Sequence, residues 1–181
     1  MPALERAGYG LADALDQYIA SLYTGVAAAN IVGLGNDTTA VVPTKATIYG
    51  YFVTARTLLA EANVPANDRW AIVPSWVMAL IIASPEFISA SNLGDSVKES
   101  GAVGQICGFT IYESNNVPNT AGAKYKVMFG HAMSITLAEQ LMKPEIIRHY
   151  IRLGDQYRGL HLYGAKLTHS TGIAVATFSK S

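Results

Sequence analysis

At 181 residues the chain can bury one sizeable core, or two small lobes that share a strand, and it is too short for several independent domains. Half of its residues are hydrophobic and 14% are charged, where an ordinary soluble domain carries about a quarter. So thin a coat of charge leaves apolar surface in water on an isolated subunit and points to a surface covered by further copies or by partners; a compact α/β monomer with a large core is the other arrangement this composition allows.

Formal net charge is zero, yet residues 1–120 carry five Lys/Arg against ten Asp/Glu, and residues 121–181 carry eight against three. Halves of opposite sign on different faces would let neighbours meet head to tail, whereas scatter along the chain would have no such consequence. The single Cys107 excludes an intrachain disulfide and sits in the apolar run Val103 to Phe109, as a buried, unreactive thiol does. A reducing compartment fits that usage. The start, Met1 to Arg6, lacks the basic region and continuous apolar core of a signal peptide. Pro74 and Ser75 interrupt the apolar stretch Trp70 to Ala83, which falls short of the roughly 18 residues a membrane span needs.

In chain order, Leu4, Gly8, Leu11, Leu15, Tyr18 and Leu22 recur in alternating steps of four and three. This predicts a long amphipathic helix with a narrow seam from Leu4 to Val26. Asn30 to Thr39 reads as a Gly/Asn-rich loop with room for one short strand. Thr44, after Pro43, can cap a second helix carrying Ile48, Tyr51, Phe52, Ala55, Leu58, Leu59 and Ala62, which Pro65 stops. Arg69 to Val73 suits a strand buried on both faces, with a third helix from Ser75 to Ser84 following at once. Gln105 to Tyr112, after a glycine turn at Gly101 to Gly104, predicts a strand ending at Ser114-Asn115-Asn116. Tyr125 to Phe129 alternates as a strand, and Met133 to Met142 fits neither period cleanly. Ile146 to Leu153 reads as extended, Asp155 to Leu160 as a short helical turn, and Leu162 to Leu167 and Ile173 to Phe178 as closing strands. Helices early and a sheet built largely from later residues define an α+β fold, not a doubly wound parallel sheet.

Chemistry-bearing constellations are absent from the pattern. Gly33 and Gly35, and Gly101, Gly104 and Gly108, do not link a strand to a helix as a nucleotide fingerprint must, and no P-loop ending follows them. His131, His149, His161 and His169 lie 18, 12 and 8 residues apart, without the close helical pair of a zinc site. No nucleophile elbow occurs, Cys107 has no activating context, and Asp13 and Asp16 on the first helix read as a solvated flank. No catalytic residue, cofactor or metal ligand is therefore expected. Lys143, Arg148, Arg152 and Arg158 are the candidate interface residues; they could face phosphate, but an interface rim needs no nucleic acid.

Several segments, in order, resemble the major capsid proteins of tailed bacteriophages and prophages with the HK97-type fold, which encapsulin shells share. They are Arg69 to Pro74 before a helix; Gly101 to Gly104 leading into Gly108 to Asn115; Gly130-His131-Ala132; Ala138-Glu139-Gln140; Gly154-Asp155; Arg158-Gly159-Leu160; and Tyr163 to Lys166. Order and spacing over most of residues 5–178 carry the likeness, since no one motif is decisive. The resemblance implies a peripheral-domain spine helix in residues 1–30, an axial domain in 31–125, and in 126–181 a return through the axial domain to the peripheral sheet. It implies a structural subunit without an active site that forms homo-oligomeric capsomers of an icosahedral shell in the virion. Scaffolding and portal proteins would be its further partners, packaged DNA would be met only non-specifically, and no membrane is involved. Family members carry an N-terminal arm and an extended loop before the spine helix, and this sequence starts almost at that helix. Two alternatives remain at this level: an encapsulin-like compartment subunit, and a small α+β enzyme binding a ligand at the Gly101–Gly108 turn.

Overall fold

The structure is a computed structural model that describes residues 2–85, 104–141, 145–148, 150 and 153–180. Helix α1, Pro2–Ser21, tightens into a 3-10 turn at Leu22–Gly25, close to the predicted end. Its C-terminal part meets the body. Leu15 and Ile19 are half-buried and Ala20 is buried, while every residue from Gly8 to Ala14 is exposed, so the predicted seam is covered at Leu15 but not at Gly8 and Leu11.

Helix α2, Ile48–Glu61, buries Ile48, Phe52, Ala55 and Leu59, the stripe predicted from their spacing. The Thr44 hydroxyl does not accept a backbone N–H as a capping side chain would. Instead the Thr44 carbonyl accepts the Ile48 N–H at 2.9 Å, and the Thr44 N–H donates to Thr47 Oγ1 at 3.0 Å, the returning half of a capping box. The helix stops before Pro65. Asn63 adopts φ 56°, its N–H donates to the Ala60 carbonyl, and the Val64 N–H donates to the Leu59 carbonyl, a Schellman ending with Asn in the left-handed position.

Strand β1, Arg69–Val73, and helix α3, Ser75–Ile82, follow as predicted. The strand expected from Gln105 to Tyr112 is instead a hairpin, β2 Gln105–Ile106 and β3 Phe109–Glu113. Cys107 and Gly108, at φ 50° and 83°, form the turn between them, with the two positive angles of a type I′ connection. Gly101 to Val103 of the predicted glycine turn lie outside the described residues. Strands β4, Asn119–Thr120, and β5, Lys124–His131, come next. The ambiguous stretch after Met133 resolves as β6, Ile135–Leu141, because it pairs over seven residues with β9, His161–Leu167. Between them lie β7, Glu145–Arg148, and β8, Asp155–Arg158. Strand β8 falls where a helical turn was predicted: pairing with β7 satisfies its backbone and overrides the local reading. Strand β10, Ile173–Ser179, ends the fold.

The main sheet is six-stranded, in the order β10-β5-β1-β3-β2 with β4 beside β5, and the β6–β9 and β7–β8 ladders stand apart from it. Strands β1 and β3 are parallel and the other pairs antiparallel, so the fold is mixed α+β. Side-chain alternation divides the sheet into two faces. One carries Ala71, Val73, Phe109, Ile111, Val127, Phe129, Ala174, Ala176 and Phe178 against α2 and α3 in a single core. There the ring of Phe129 stands edge-on to Phe52 at 5.0 Å and lies 5.4 Å from Phe109. The other face carries Trp70, Met128, Ile173 and Val175 against Tyr23, Val26, Ile135 and Leu167. Trp70 lies opposite Gly130 across the β1–β5 ladder, and its indole covers the glycine so closely that an added Cβ would meet the ring at 2.6 Å.

The Gly/Asn-rich segment contains no strand; it closes the edge of β10. Thr177 N–H donates to the Leu34 carbonyl, Val41 N–H to the Thr177 carbonyl and Ser179 N–H to the Val41 carbonyl, with one bridge from Val41 to Phe178. Asp37 in this loop holds the buried Lys126 ammonium, which also contacts Thr177 Oγ1 at 3.3 Å. Thr120 Oγ1 donates to the same carboxylate at 3.0 Å, and Lys124 Nζ donates to the Asp37 carbonyl. The Lys126 hydrogen bond holds the Asp37 carboxyl below its usual value of 3.8.

Gly130→Ala is expected to lose about 1–3 kcal/mol in urea denaturation, with part of the loss recovered when Trp70→Leu is added. Asp37→Asn is expected to lower the thermal midpoint at pH 7, since Lys126 is left buried without its counter-charge, and Lys126→Met in that background should restore it. A carboxylate with a depressed folded pKa stabilises above its unfolded value, and that contribution is lost as pH falls through the folded one. The gap between wild type and Asp37→Asn should therefore close on acidification below about pH 4.

Candidate assembly surface

Chemistry-bearing groups stay apart. His131 is buried, and its Nδ1 accepts the Met133 N–H at 3.2 Å; His161 Nε2 lies 2.7 Å from Glu139 Oε1; His149 falls outside the described residues. Among the described residues no three His, Cys, Asp or Glu side chains converge as metal ligands would. Cys107 is half-buried in its turn, and burial pushes its thiol pKa up, away from the thiolate a nucleophile needs. Gly104 and Gly108 belong to a hairpin that opens no helix, so their N–H groups do not converge on an anion as those of a phosphate loop do.

The four predicted interface cations divide. Lys143 and Arg152 lie outside the described residues. Arg158 is exposed but engaged: its Nε and Nη2 donate to Glu145 Oε2 at 3.1 and 2.8 Å across the β7–β8 ladder. An exposed cross-strand pair of this kind contributes about 0.2–1 kcal/mol and leaves Arg158 little net charge to offer a neighbour. Arg148 is exposed at the far end of the ladder, where Asp155 lies opposite it in register.

Around these charges the surface is unusually apolar. Ile146, Tyr150 and Leu153 are 61%, 91% and 96% exposed at the β7–β8 end, and Tyr9 is 80% exposed on α1. Tyr18 ties α1 to the β6–β9 ladder by an edge-on contact with Tyr163 at 5.4 Å. Asn116 Nδ2 donates to Asp13 Oδ1 at 2.6 Å, tying α1 to the turn after β3. Between those ties the described residues leave part of the second face of the sheet uncovered. It forms a groove of about 480 Å³ floored by Trp70, Ile72, Met128 and Ile135, with Asp16 on the α1 wall and Glu113 on the β3 wall. Sequence reading missed this groove: Asp16 looked like a plain helix flank, and only the tertiary position of α1 brings it opposite Glu113.

A family model described as phage capsid protein matches residues 1–176. No curated protein matches. Among solved structures, a chain from Mycobacterium phage Che8 is 25% identical with a TM-score of 0.78, over 97% of this chain and 62% of that one. The mature capsid of bacteriophage PhiM1 is 14% identical with a TM-score of 0.70, over 97% and 64%. The capsid of cyanophage P-SCSP1u is 13% identical with a TM-score of 0.66, over 99% and 66%. The chain thus spans a little under two thirds of the length of these phage proteins. With a fold shared with phage capsids, an apolar open surface and a family match over nearly its whole length, the chain belongs to the phage capsid protein family.

Proposed function

We propose that this structural subunit is the HK97-type core of a major capsid protein, which self-associates into capsomers of an icosahedral shell that encloses DNA in the virion. The observation that carries the reading is the likeness of 97% of the chain to a chain of phage Che8 at 25% identity, joined to a family match over residues 1–176. The large apolar side chains left in water, Tyr9 on α1 and Ile146, Tyr150 and Leu153 at the β7–β8 end, support self-association, since a neighbouring subunit would cover them.

In this reading α1 is the spine helix of the peripheral domain within residues 1–30. Residues 31–125 supply the axial domain, with α2, α3 and most of the six-stranded sheet. Residues 126–181 run from β5 through the β6–β9 ladder, which packs on α1 and would extend the peripheral domain, before β10 returns beside β5. Scaffolding and portal proteins would be further partners, and contact with DNA would be non-specific. A cargo-enzyme gene beside this one in the genome would favour a compartment of the encapsulin kind, while portal and terminase genes favour the phage shell.

Sedimentation velocity and negative-stain electron microscopy of the complete gene product should reveal capsomers or closed shells. A product that stays monomeric under every salt and scaffold condition overturns the reading.

A further inference from the structure

We propose that the outer edge of β6 pairs with the same strand of a second copy, antiparallel about a two-fold axis at Ala138, joining two β6–β9 ladders into one continuous sheet. This rests on the self-association reading and names its contact.

The phase of the ladder decides which backbone groups face outward. Thr168 N–H donates to the Ser134 carbonyl at 2.9 Å, so Ser134 and Thr168 form a hydrogen-bonded pair where the ladder begins. In an antiparallel ladder such pairs alternate with pairs whose N–H and C=O groups point away from each other. Leu137 stands opposite Ala165 and Glu139 opposite Tyr163, so Leu137 and Glu139 present theirs on the outer edge of β6. On the β9 side the outward carbonyl of Ala165 accepts the Tyr18 hydroxyl at 3.4 Å, which places a residue of α1 at that edge. No group among the described residues does the same for β6. The outward N–H and C=O of Leu137 and Glu139 have no hydrogen-bond partner there, and every residue from Thr136 to Gln140 is exposed.

An open strand edge is a template for another strand, and proteins that do not use it blunt it with lysine, proline, a bulge or a very short strand. Strand β6 has seven residues, Ile-Thr-Leu-Ala-Glu-Gln-Leu, with neither lysine nor proline among them. Its one charge, Glu139, is engaged by His161. The main sheet is the contrast, since the 31–41 segment closes its β10 edge and β2 is two residues long. The register follows from the phase, because outward residues must meet outward residues. Centring on Ala138 pairs the whole of Ile135–Leu141, with Leu137 of each copy exchanging both hydrogen bonds with Glu139 of the other. Centring on Glu139 would set that carboxylate against its own copy, and like charges directly opposite destabilise. Centring on Leu137 would leave Gln140 and Leu141 beyond the end of the facing strand. The contact is isologous, the same strand serving on both sides, and main-chain hydrogen bonds supply its affinity.

The test uses the 181-residue chain, with circular dichroism verifying the fold and sedimentation velocity reading association. Leu137→Pro removes an outward N–H and spares the β9 ladder, since proline is tolerated on an edge strand where the missing N–H faces away from the ladder. By symmetry it deletes two hydrogen bonds between the copies, and association is expected to weaken roughly tenfold or more. Ala138 meets its own copy at the axis as a non-hydrogen-bonded pair, whose Cα atoms lie about 4.5 Å apart, within disulfide reach. In a Cys107→Ser background, Ala138→Cys should therefore yield a disulfide-linked dimer on mild oxidation, a readout that stands should Leu137→Pro not fold. Gln140→Cys, offset from the axis, should crosslink far less. A Leu137→Pro chain that folds and associates like wild type overturns the pairing, as does Ala138→Cys crosslinking no better than Gln140→Cys. Association lost in Leu137→Pro without a crosslink at Ala138→Cys gives the edge to some other strand and likewise overturns it; in each case self-association stands. A wild-type chain that stays monomeric while the complete gene product assembles removes this contact alone, and monomers of both remove the self-association reading with it.

Discussion

A sheet with two apolar faces, for which the described residues supply helices enough to close one, is the constraint on which the rest of this structure depends. Strand β5 lies between β10 and β1, so its alternate residues are committed to opposite sides: Val127 and Phe129 to α2 and α3, Met128 and Gly130 to the other face. The first side closes completely, with Phe52, Phe109 and Phe129 all fully buried. On the second, the last turns of α1, the 3-10 turn after it and one end of the β6–β9 ladder cover β10 and part of β5, and among the described residues Trp70 and Ile72 are left lining the groove. Apolar surface left in water forgoes about 25 cal/mol per Å², which is the drive for another molecule to complete the layer.

The edges of the main sheet bear on where that molecule can bind. An open edge is a template for further strands, and both ends of this sheet are blunted. On the β10 side the 31–41 segment supplies hydrogen bonds to Thr177 and Ser179, and Asp37 anchors it by its grip on Lys126. On the other side β2 is two residues long. Growth by strand addition to this sheet is thereby disfavoured, and contact through its open face remains. The buried Lys126 has a place in this scheme. It brings a charge onto an otherwise apolar face at the cost of desolvation, and its pairing with Asp37 fixes the loop over the strand edge.

Much of the fold was legible in the sequence where a single local period governed. The α2 stripe from Ile48 to Leu59, the buried run Arg69 to Val73 and the closing strand from Ile173 were all readable, because burial on one or both faces leaves a direct pattern. What escaped depended on partners distant in sequence. Strand β8 looked like a helical turn until β7 lay opposite it, and β6 fitted no period until β9 satisfied its backbone. The break at Cys107-Gly108 was hidden inside a strand-like composition, with only Gly108 to mark it. The assembly surface was legible as a deficit of charge but not as a place. Asp16 and Glu113 lie almost a hundred residues apart, and Arg158, one of the cations expected to meet a neighbour, is engaged by its own Glu145.

That engagement sharpens the meaning of the charge asymmetry along the chain. Zero net charge removes the long-range repulsion that keeps many proteins apart, so association here is governed by local pairing rather than by a global field. Fixing Arg158 to Glu145 cancels one basic group of the later half, and fixing Lys126 to Asp37 cancels another, on the groove wall. Lys126 and Arg158 are thereby withdrawn from the charges a neighbour meets, while Asp16 and Glu113 stand at the groove without a cationic partner among the described residues. Internal ion pairs of modest energy thus act less as a source of stability than as a filter on which charges a neighbouring subunit encounters.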